Sequence, residues 1–277
     1  MSSAEALAAL KGEDKTDDGL PIVTVDGAKA TICFNRPDVR NRIGPADIEV
    51  ILDALDRFEA DPAIRAVIFT GKGKVFSSGF NLNVFYDNFV DNDPEREVRA
   101  DDNFFGDFTN RIETCRLPTI LAANGPVYGG ATDVALSCDF RFAVSGVEAF
   151  LPASRLGIHY YGRGMQRYVA RLGLAAAKRI CLTSETLNEE ELLKCGFFDA
   201  VMDEEAMWAR VNDLAETLAR QAPMAVEGMK RSLNEISYGE LDEKKTNAEF
   251  LKCINSNDFK EGVTAWFEKR RPEFKGN

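Results

Sequence analysis

Three short runs constrain the fold more than anything else in the chain. RAVIFTG (65–71) and PTILAANG (118–125) are almost wholly apolar and end at a glycine, and DFRFAV (139–144) reads as a third strand shortly before Gly146. A strand with almost no polar residue has no side to offer to water, so the first two are expected to be covered on both faces, as in a parallel sheet flanked by helices. The segments between them agree. In ADIEVILDALDRFEA (46–60), Ile48, Ile51, Leu52, Leu55 and Phe58 recur at helical spacing, and helices are also expected around 101–115 and from about 130. Upstream, IVTV and AKATICF flank Asp26-Gly27, which predicts two antiparallel strands joined by a tight turn. Strands interleaved with helices define an α/β fold.

Past the third run the pattern turns helical. Helices are expected near 162–172 and 174–182, and in LNEEELLKCG (187–196), which Gly196 closes, followed by a last short strand, DAVMD (199–203). From Glu204 the chain reads as helix to its end, with breaks at Pro223, near Gly239 and at SNDFKEG (256–262), where Ser256, Asn257 or Asp258 caps the final helix. Trp208, Phe250, Trp266 and Phe267 exceed what a small helical appendage buries alone, which points to an oligomer contact. Residues 1–19 are acid-rich and read as a loosely packed tail. The organisation expected is therefore a tail (1–19), an α/β core (20–203) and a C-terminal helical domain (204–277).

Charge and residue counts exclude several functions. With 34 Lys+Arg against 45 Asp+Glu, the net charge of −11 leaves no basic footprint for nucleic acid, although a local patch can still hold one anionic group. No apolar run is long enough for a membrane span, and the first residues lack a basic-then-apolar leader pattern, so a cytoplasmic location is the default. Six scattered cysteines without a CxxC pair read as buried free thiols, and a single histidine without HExxH argues against a metal site. GKGKVF (71–76) and GRGMQR (162–167) complete neither phosphate-loop pattern, and no GxSxG elbow is present.

Two glycine turns remain as ligand-facing candidates: KVFSSGFNL (74–82) and NGPVYGGATD (124–133), each following a buried strand. Two such turns at neighbouring strand ends can aim two backbone N–H groups at one oxygen and stabilise developing negative charge there. A glycine after a strand is more often a plain turn, and it is the order of motifs along the chain that favours the ligand-facing reading.

That order is NRPDVRN (35–41), ADPAIRAVIFTGKGKVFSSGFNL (60–82), RLPTILAANGPVYGGATDVALSCDFRFA (116–143), FLPASRLGIHYYGRGMQRYVARLG (150–173) and EGVTAWFEKRRPEF (261–274). Over roughly residues 21–275 the series resembles the enoyl-CoA hydratase/isomerase family, the crotonase superfamily. The resemblance implies a crotonase-like spiral of ββα turns followed by a helical oligomerisation domain, assembled as trimers or hexamers. It implies an acyl-CoA substrate, with coenzyme A entering as part of the thioester and no separate cofactor or metal. The family's oxyanion donors fall on the amides of Phe80 and Gly130. Its coenzyme A contacts fall on Val39, Arg40, Ser78 and Leu82, and on Trp266 and Lys269 from a neighbouring subunit.

The catalytic pattern departs from the family's. Of its two glutamates, the first position is Asp133, one methylene shorter, and the second is Ala153, which cannot move a proton. Asp133 is the best proton-transfer candidate, and its alternative reading is a first-turn acid that complements a helix dipole. Around Ala153 stand His159, Tyr160, Tyr161 and Arg163, with Tyr161 where some family members carry an aspartate. His159 can serve as a base near neutral pH and Tyr161 as a donor, while Tyr160 is placed with the substrate contacts; a packed histidine satisfied by the backbone is the competing reading. The Phe80 side chain reshapes the pocket while leaving its N–H in place.

These departures keep three functions open: an acyl-CoA hydratase/isomerase, a hydrolase of β-diketones or thioesters on the same fold, and a non-catalytic acyl-CoA-binding relative. The first accounts for the full motif series.

Overall fold

The computed structural model describes residues 19–84 and 104–277; the first eighteen positions of the expected tail, and 101–103 of the expected helix, lie outside the described residues. The hairpin forms where its turn chemistry requires it. Strands β1 (Ile22–Asp26) and β2 (Lys29–Phe34) run antiparallel with Asp26 opposite Lys29, and Gly27 takes a φ of 58° in the two-residue turn. Helix α1 (Pro45–Ala60) starts with proline at its first position and buries Ile48, Ile51, Leu55 and Phe58, while Leu52 is only partly covered.

The three runs become β3 (Ala66–Gly71), β4 (Thr119–Ala123) and β6 (Phe140–Val144), with helix α2 (Phe104–Thr114) before β4 and helix α3 (Ala131–Ser137) between β4 and β6. Two-residue strands β5 (Val127–Tyr128) and β7 (Ala149–Phe150) pair with each other as a separate small sheet. They are too short to show an alternating pattern and so leave no periodic signal in the residues. Helix α4 (Gly162–Lys178) is interrupted where the sequence separates two helices, at Gly173 with φ 76°. Helix α5 (Glu189–Lys194) is held by a capping box between Asn188 and Glu191, and β8 (Ala200–Met202) closes the large sheet. The chain ends in α6 (Glu204–Ala219), α7 (Pro223–Tyr238), α8 (Glu243–Ile254) and α9 (Asn257–Glu268); Ser256 caps the last, accepting from Phe259 N–H at 3.0 Å.

The large sheet has the order β1-β2-β3-β4-β6-β8, parallel throughout except for β1 against β2. Its two faces are covered differently. Val67, Phe69 and Leu121 point into the main core with α1, α2 and α3, whereas Ala66, Ile68, Ile120 and Phe142 pack against Met207, Val211 and Ala215 of α6. Helix α6 is thus part of the layered core by its packing, and α7 to α9 extend beyond it. Among the described residues no helix is long and apolar enough to cross a membrane.

Candidate active site

The two glycine turns come together because the segment after β2 is strapped across the first of them. Asn41, buried and at φ 53°, directs its side-chain amide at the carbonyls of Lys72, Val75 and Phe76, between 2.8 and 3.0 Å away. Ser77 Oγ donates to Asn41 O at 2.6 Å, and Ser78 N–H donates to Arg40 O at 2.7 Å. Ile43 and Phe80 then form a short parallel bridge, with Ile43 N–H bonded to Gly79 O and Asn81 N–H to Ile43 O. This bridge uses the amides on either side of Phe80 and leaves Phe80's own N–H facing away from Ile43.

The second turn locks onto the first through the bridge between Ser77 and Val127, where Tyr128 N–H donates to Ser77 O at 3.0 Å. Gly79, at φ 91°, lies so close that an added Cβ would be 2.6 Å from Gly130 N, and a Cβ on Gly130 would be 2.7 Å from the Phe105 ring. Only glycine fits at position 79, and a side chain at position 130 would have to displace the Phe105 ring. The amides of Phe80 and Gly130 have no acceptor among the described residues.

Both residues wall one cavity of about 340 Å³, together with Ser78, Leu82, His159, Tyr160 and Tyr161 of the sequence-derived candidates. Ala153 is there too, and so are Arg42, Phe105 and Ile158, which sequence reasoning did not single out. Val39 and Arg40 do not line this cavity but adjoin it through Ser78, whose Oγ donates to Val39 O at 3.4 Å. Trp266 and Lys269 lie elsewhere: Trp266 walls a separate apolar groove with Phe259, Phe267 and Phe274, and Lys269 is the exposed left-handed residue that ends α9.

Asp133 is not on the cavity wall. It is fully buried in the first turn of α3, where its Oδ1 pairs with Arg167 Nη1 at 2.6 Å and its Oδ2 accepts from Tyr161 Oη and, at 3.2 Å, from Tyr160 Oη. Arg167, equally buried, also donates to Asn110 Oδ1 at 2.8 Å and to Glu113 Oε2 at 3.2 Å. Tyr238 of α7 donates to Glu113 Oε1 at 2.5 Å, so the network runs from the cavity tyrosines to the C-terminal helices.

The electrostatics follow from this burial. Burial, and after it the charge of Asp133, pushes the Tyr160 and Tyr161 phenols well above the ordinary tyrosine value, so both are neutral O–H groups at physiological pH. Burial acts to raise the Glu113 carboxyl and to lower Arg167, but their pairing, with Asp133 added, wins: Glu113 is held below the usual carboxylate range and Arg167 above the usual arginine value. His159 is exposed at the cavity edge, with Nδ1 2.9 Å from Tyr160 O.

Glu113 and Arg167 also went unnoticed in the sequence. The available signal was Arg163, Arg167 and Arg171 at a spacing of four along α4, one face carrying three arginines and no acid beside them.

Fold and cavity together define an α/β protein whose loops at the carboxyl ends of β3 and β4 wall a small-molecule site. The enoyl-CoA hydratase/isomerase family model matches residues 25–277. Similar proteins include a crotonyl-CoA hydratase of Syntrophomonas wolfei, 30% identical over 88% of this chain and 94% of that one. Another is a trans-2-decenoyl-[acyl-carrier-protein] isomerase of Streptococcus mutans, 27% identical over 92% and 97%. A solved enoyl-CoA hydratase/carnithine racemase from Magnetospirillum magneticum superimposes with a TM-score of 0.85 at 25% identity, covering 95% of this chain and 97% of that one. The chain belongs to the enoyl-CoA hydratase/isomerase family of acyl-CoA enzymes and has the crotonase fold.

Proposed function

We propose that this protein binds an acyl-CoA with the thioester oxygen between the amides of Phe80 and Gly130 and stabilises the enolate formed at the adjoining carbon, as a hydratase or isomerase. One observation carries the reading: two N–H groups without acceptors among the described residues, on loops locked together by Gly79 and Gly130, open onto one largely apolar cavity. Fixed donors in a water-poor site need no reorganisation as charge develops, and each is worth about 10² to 10³ in rate.

The family's second carboxylate position is Ala153 here, so proton transfer falls to His159, with Tyr160 as a neutral donor beside it and Tyr161 and Asp133 acting behind Tyr160. Coenzyme A is part of the substrate, and no other cofactor is invoked. Val39, Arg40, Ser78 and Leu82 hold it near the site, and Trp266 and Lys269 serve the site of an adjoining copy in a homotrimer or hexamer. The enzyme is cytoplasmic in this reading.

The test is calorimetric binding of acetoacetyl-CoA with the near-ultraviolet absorbance of its enolate, alongside turnover of crotonyl-CoA. Binding with an enolate band is expected. The absence of both binding and turnover overturns the reading, and cleavage of a cyclic β-diketone without coenzyme A replaces it with the hydrolase alternative.

A further inference from the structure

The hydrogen bonds around Asp133 separate the two cavity tyrosines. The Tyr161 hydroxyl is fully engaged: it donates to Asp133 Oδ2 and lies 2.5 Å from Thr109 Oγ1 and 3.4 Å from Arg167 Nη1. One donor and two acceptor sites are all a phenol has. The Tyr160 hydroxyl has a single partner among the described residues, the longer 3.2 Å bond to an Asp133 oxygen that already accepts from Tyr161. If Tyr160 turns away, Asp133 keeps Tyr161 on Oδ2 and Arg167 on Oδ1.

The ring of Tyr160 is held while its O–H is not. It packs edge-on against Tyr168 with centroids 5.9 Å apart and beside Tyr161 at 5.0 Å, and it approaches Gly164 so closely that a Cβ there would lie 2.6 Å from it.

We propose that Tyr160 is a catalytic residue whose O–H turns from Asp133 to an oxygen on the β-carbon of the bound acyl group. Asp133 and Arg167, both buried, and Tyr161, whose hydroxyl is already engaged, are positioning residues in this scheme: they hold the phenol at the cavity. Tyr160 remains protonated at neutral pH because burial and the neighbouring carboxylate both oppose its ionisation, so it donates a hydrogen bond. No bond is made or broken by this step. The proposal rests on the acyl-CoA reading above.

Two thioesters of equal chain length test it, acetoacetyl-CoA with a β-oxygen and butyryl-CoA without one, compared by calorimetry. The unchanged protein is expected to bind acetoacetyl-CoA at least about tenfold more tightly, the scale of one hydrogen bond to a charge-bearing oxygen. Tyr160→Phe is expected to lower acetoacetyl-CoA affinity about tenfold more than butyryl-CoA affinity, a difference that a merely structural role would not produce. Equal affinities in the unchanged protein overturn the proposal, as do parallel losses of both ligands in Tyr160→Phe or a preference lost in Tyr161→Phe and kept in Tyr160→Phe. Should Tyr160→Phe fail to fold, 3-hydroxybutyryl-CoA, which carries a β-oxygen but forms no such enolate, is compared with butyryl-CoA on the unchanged protein, and equal affinities overturn the proposal. If neither thioester binds the unchanged protein, it is the acyl-CoA reading that falls.

Discussion

Gly79 rests against Gly130 so tightly that a single methyl group on Gly79 would sit 2.6 Å from the Gly130 amide nitrogen. The two residues belong to loops leaving different strands, β3 and β4, and this contact is what brings the Phe80 and Gly130 amides to one cavity. At φ 91° Gly79 also occupies backbone space that a side chain strains.

Gly79→Ala is therefore expected to crowd the Gly130 N–H and to strain the loop together. The enolate signal of bound acetoacetyl-CoA should fall about a hundredfold, the value of one fixed donor. Urea unfolding should show a loss of about 1–3 kcal/mol from the strained backbone. An undiminished enolate band would remove Gly130 from the donor pair.

Arg167 is the only cation paired with the buried Asp133 carboxylate among the described residues, and it also pairs with Glu113. Arg167→Met leaves Asp133 with no countercharge, and a broken buried pair typically costs about 3–5 kcal/mol. Arg167→Lys keeps the charge but lacks the fork that reaches both carboxylates, so an intermediate loss is expected. Equilibrium unfolding in urea measures both, and a Met variant within about 1 kcal/mol of the unchanged protein would contradict the account.

What could be read from the sequence was what local chemistry decides. The Asp26-Gly27 turn, the solvent-free strands β3 and β4 and the break at Gly173 each depend on a few adjacent residues. The meeting of Phe80 with Gly130 was expected only through motif order, since a glycine turn by itself does not say which neighbour it faces. Arg167 was hidden for a different reason. Along α4 it is one of three evenly spaced arginines, and its burial is decided by Asp133 and Glu113, which lie 34 and 54 residues away in the chain. The same distance effect places Asp133, the proton-transfer candidate by resemblance, at the centre of a buried network.

Acid should probe that network through Glu113. Its folded-state pKa lies below the ordinary value of 4.5, because pairing with Arg167 outweighs a burial effect that acts to raise it. Protonation therefore costs the folded state more than the unfolded one. The stabilisation is fully present above the unfolded value and is lost as pH falls through the folded one. Thermal unfolding of the unchanged protein should show a stability decline below about pH 4.5 that is shallower in Glu113→Gln. Identical acid limbs would mean that Glu113 contributes nothing to it.

On α9, Trp266 is 82% exposed and Phe267 78%, beside a groove lined by Phe259 and Phe274. Two aromatic side chains left in water at one place are expected to be covered by another copy of the chain. Sedimentation should show an oligomer that Trp266→Glu with Phe267→Glu dissociates. A monomeric unchanged protein would leave Trp266 and Lys269 without a neighbouring site to serve.

Ala153 separates an altered enzyme from one that has shed its chemistry. It is 7% exposed on the cavity wall, close in sequence to Leu151 and Ile158, which line the same cavity. Ala153→Glu puts a carboxylate there, where it must either lose its hydration or repel the negative charge of an enolate. In a site that forms an enolate with His159, Tyr160 and the two amides, the substitution is expected to weaken acetoacetyl-CoA binding at least about tenfold and to depress any crotonyl-CoA turnover. The opposite result is equally specific. Hydration of crotonyl-CoA gained by the variant over a silent parent would show that only the missing carboxylate stood between this chain and its relatives' reaction, and the protein would then be an acyl-CoA binder that lost its catalytic step at position 153.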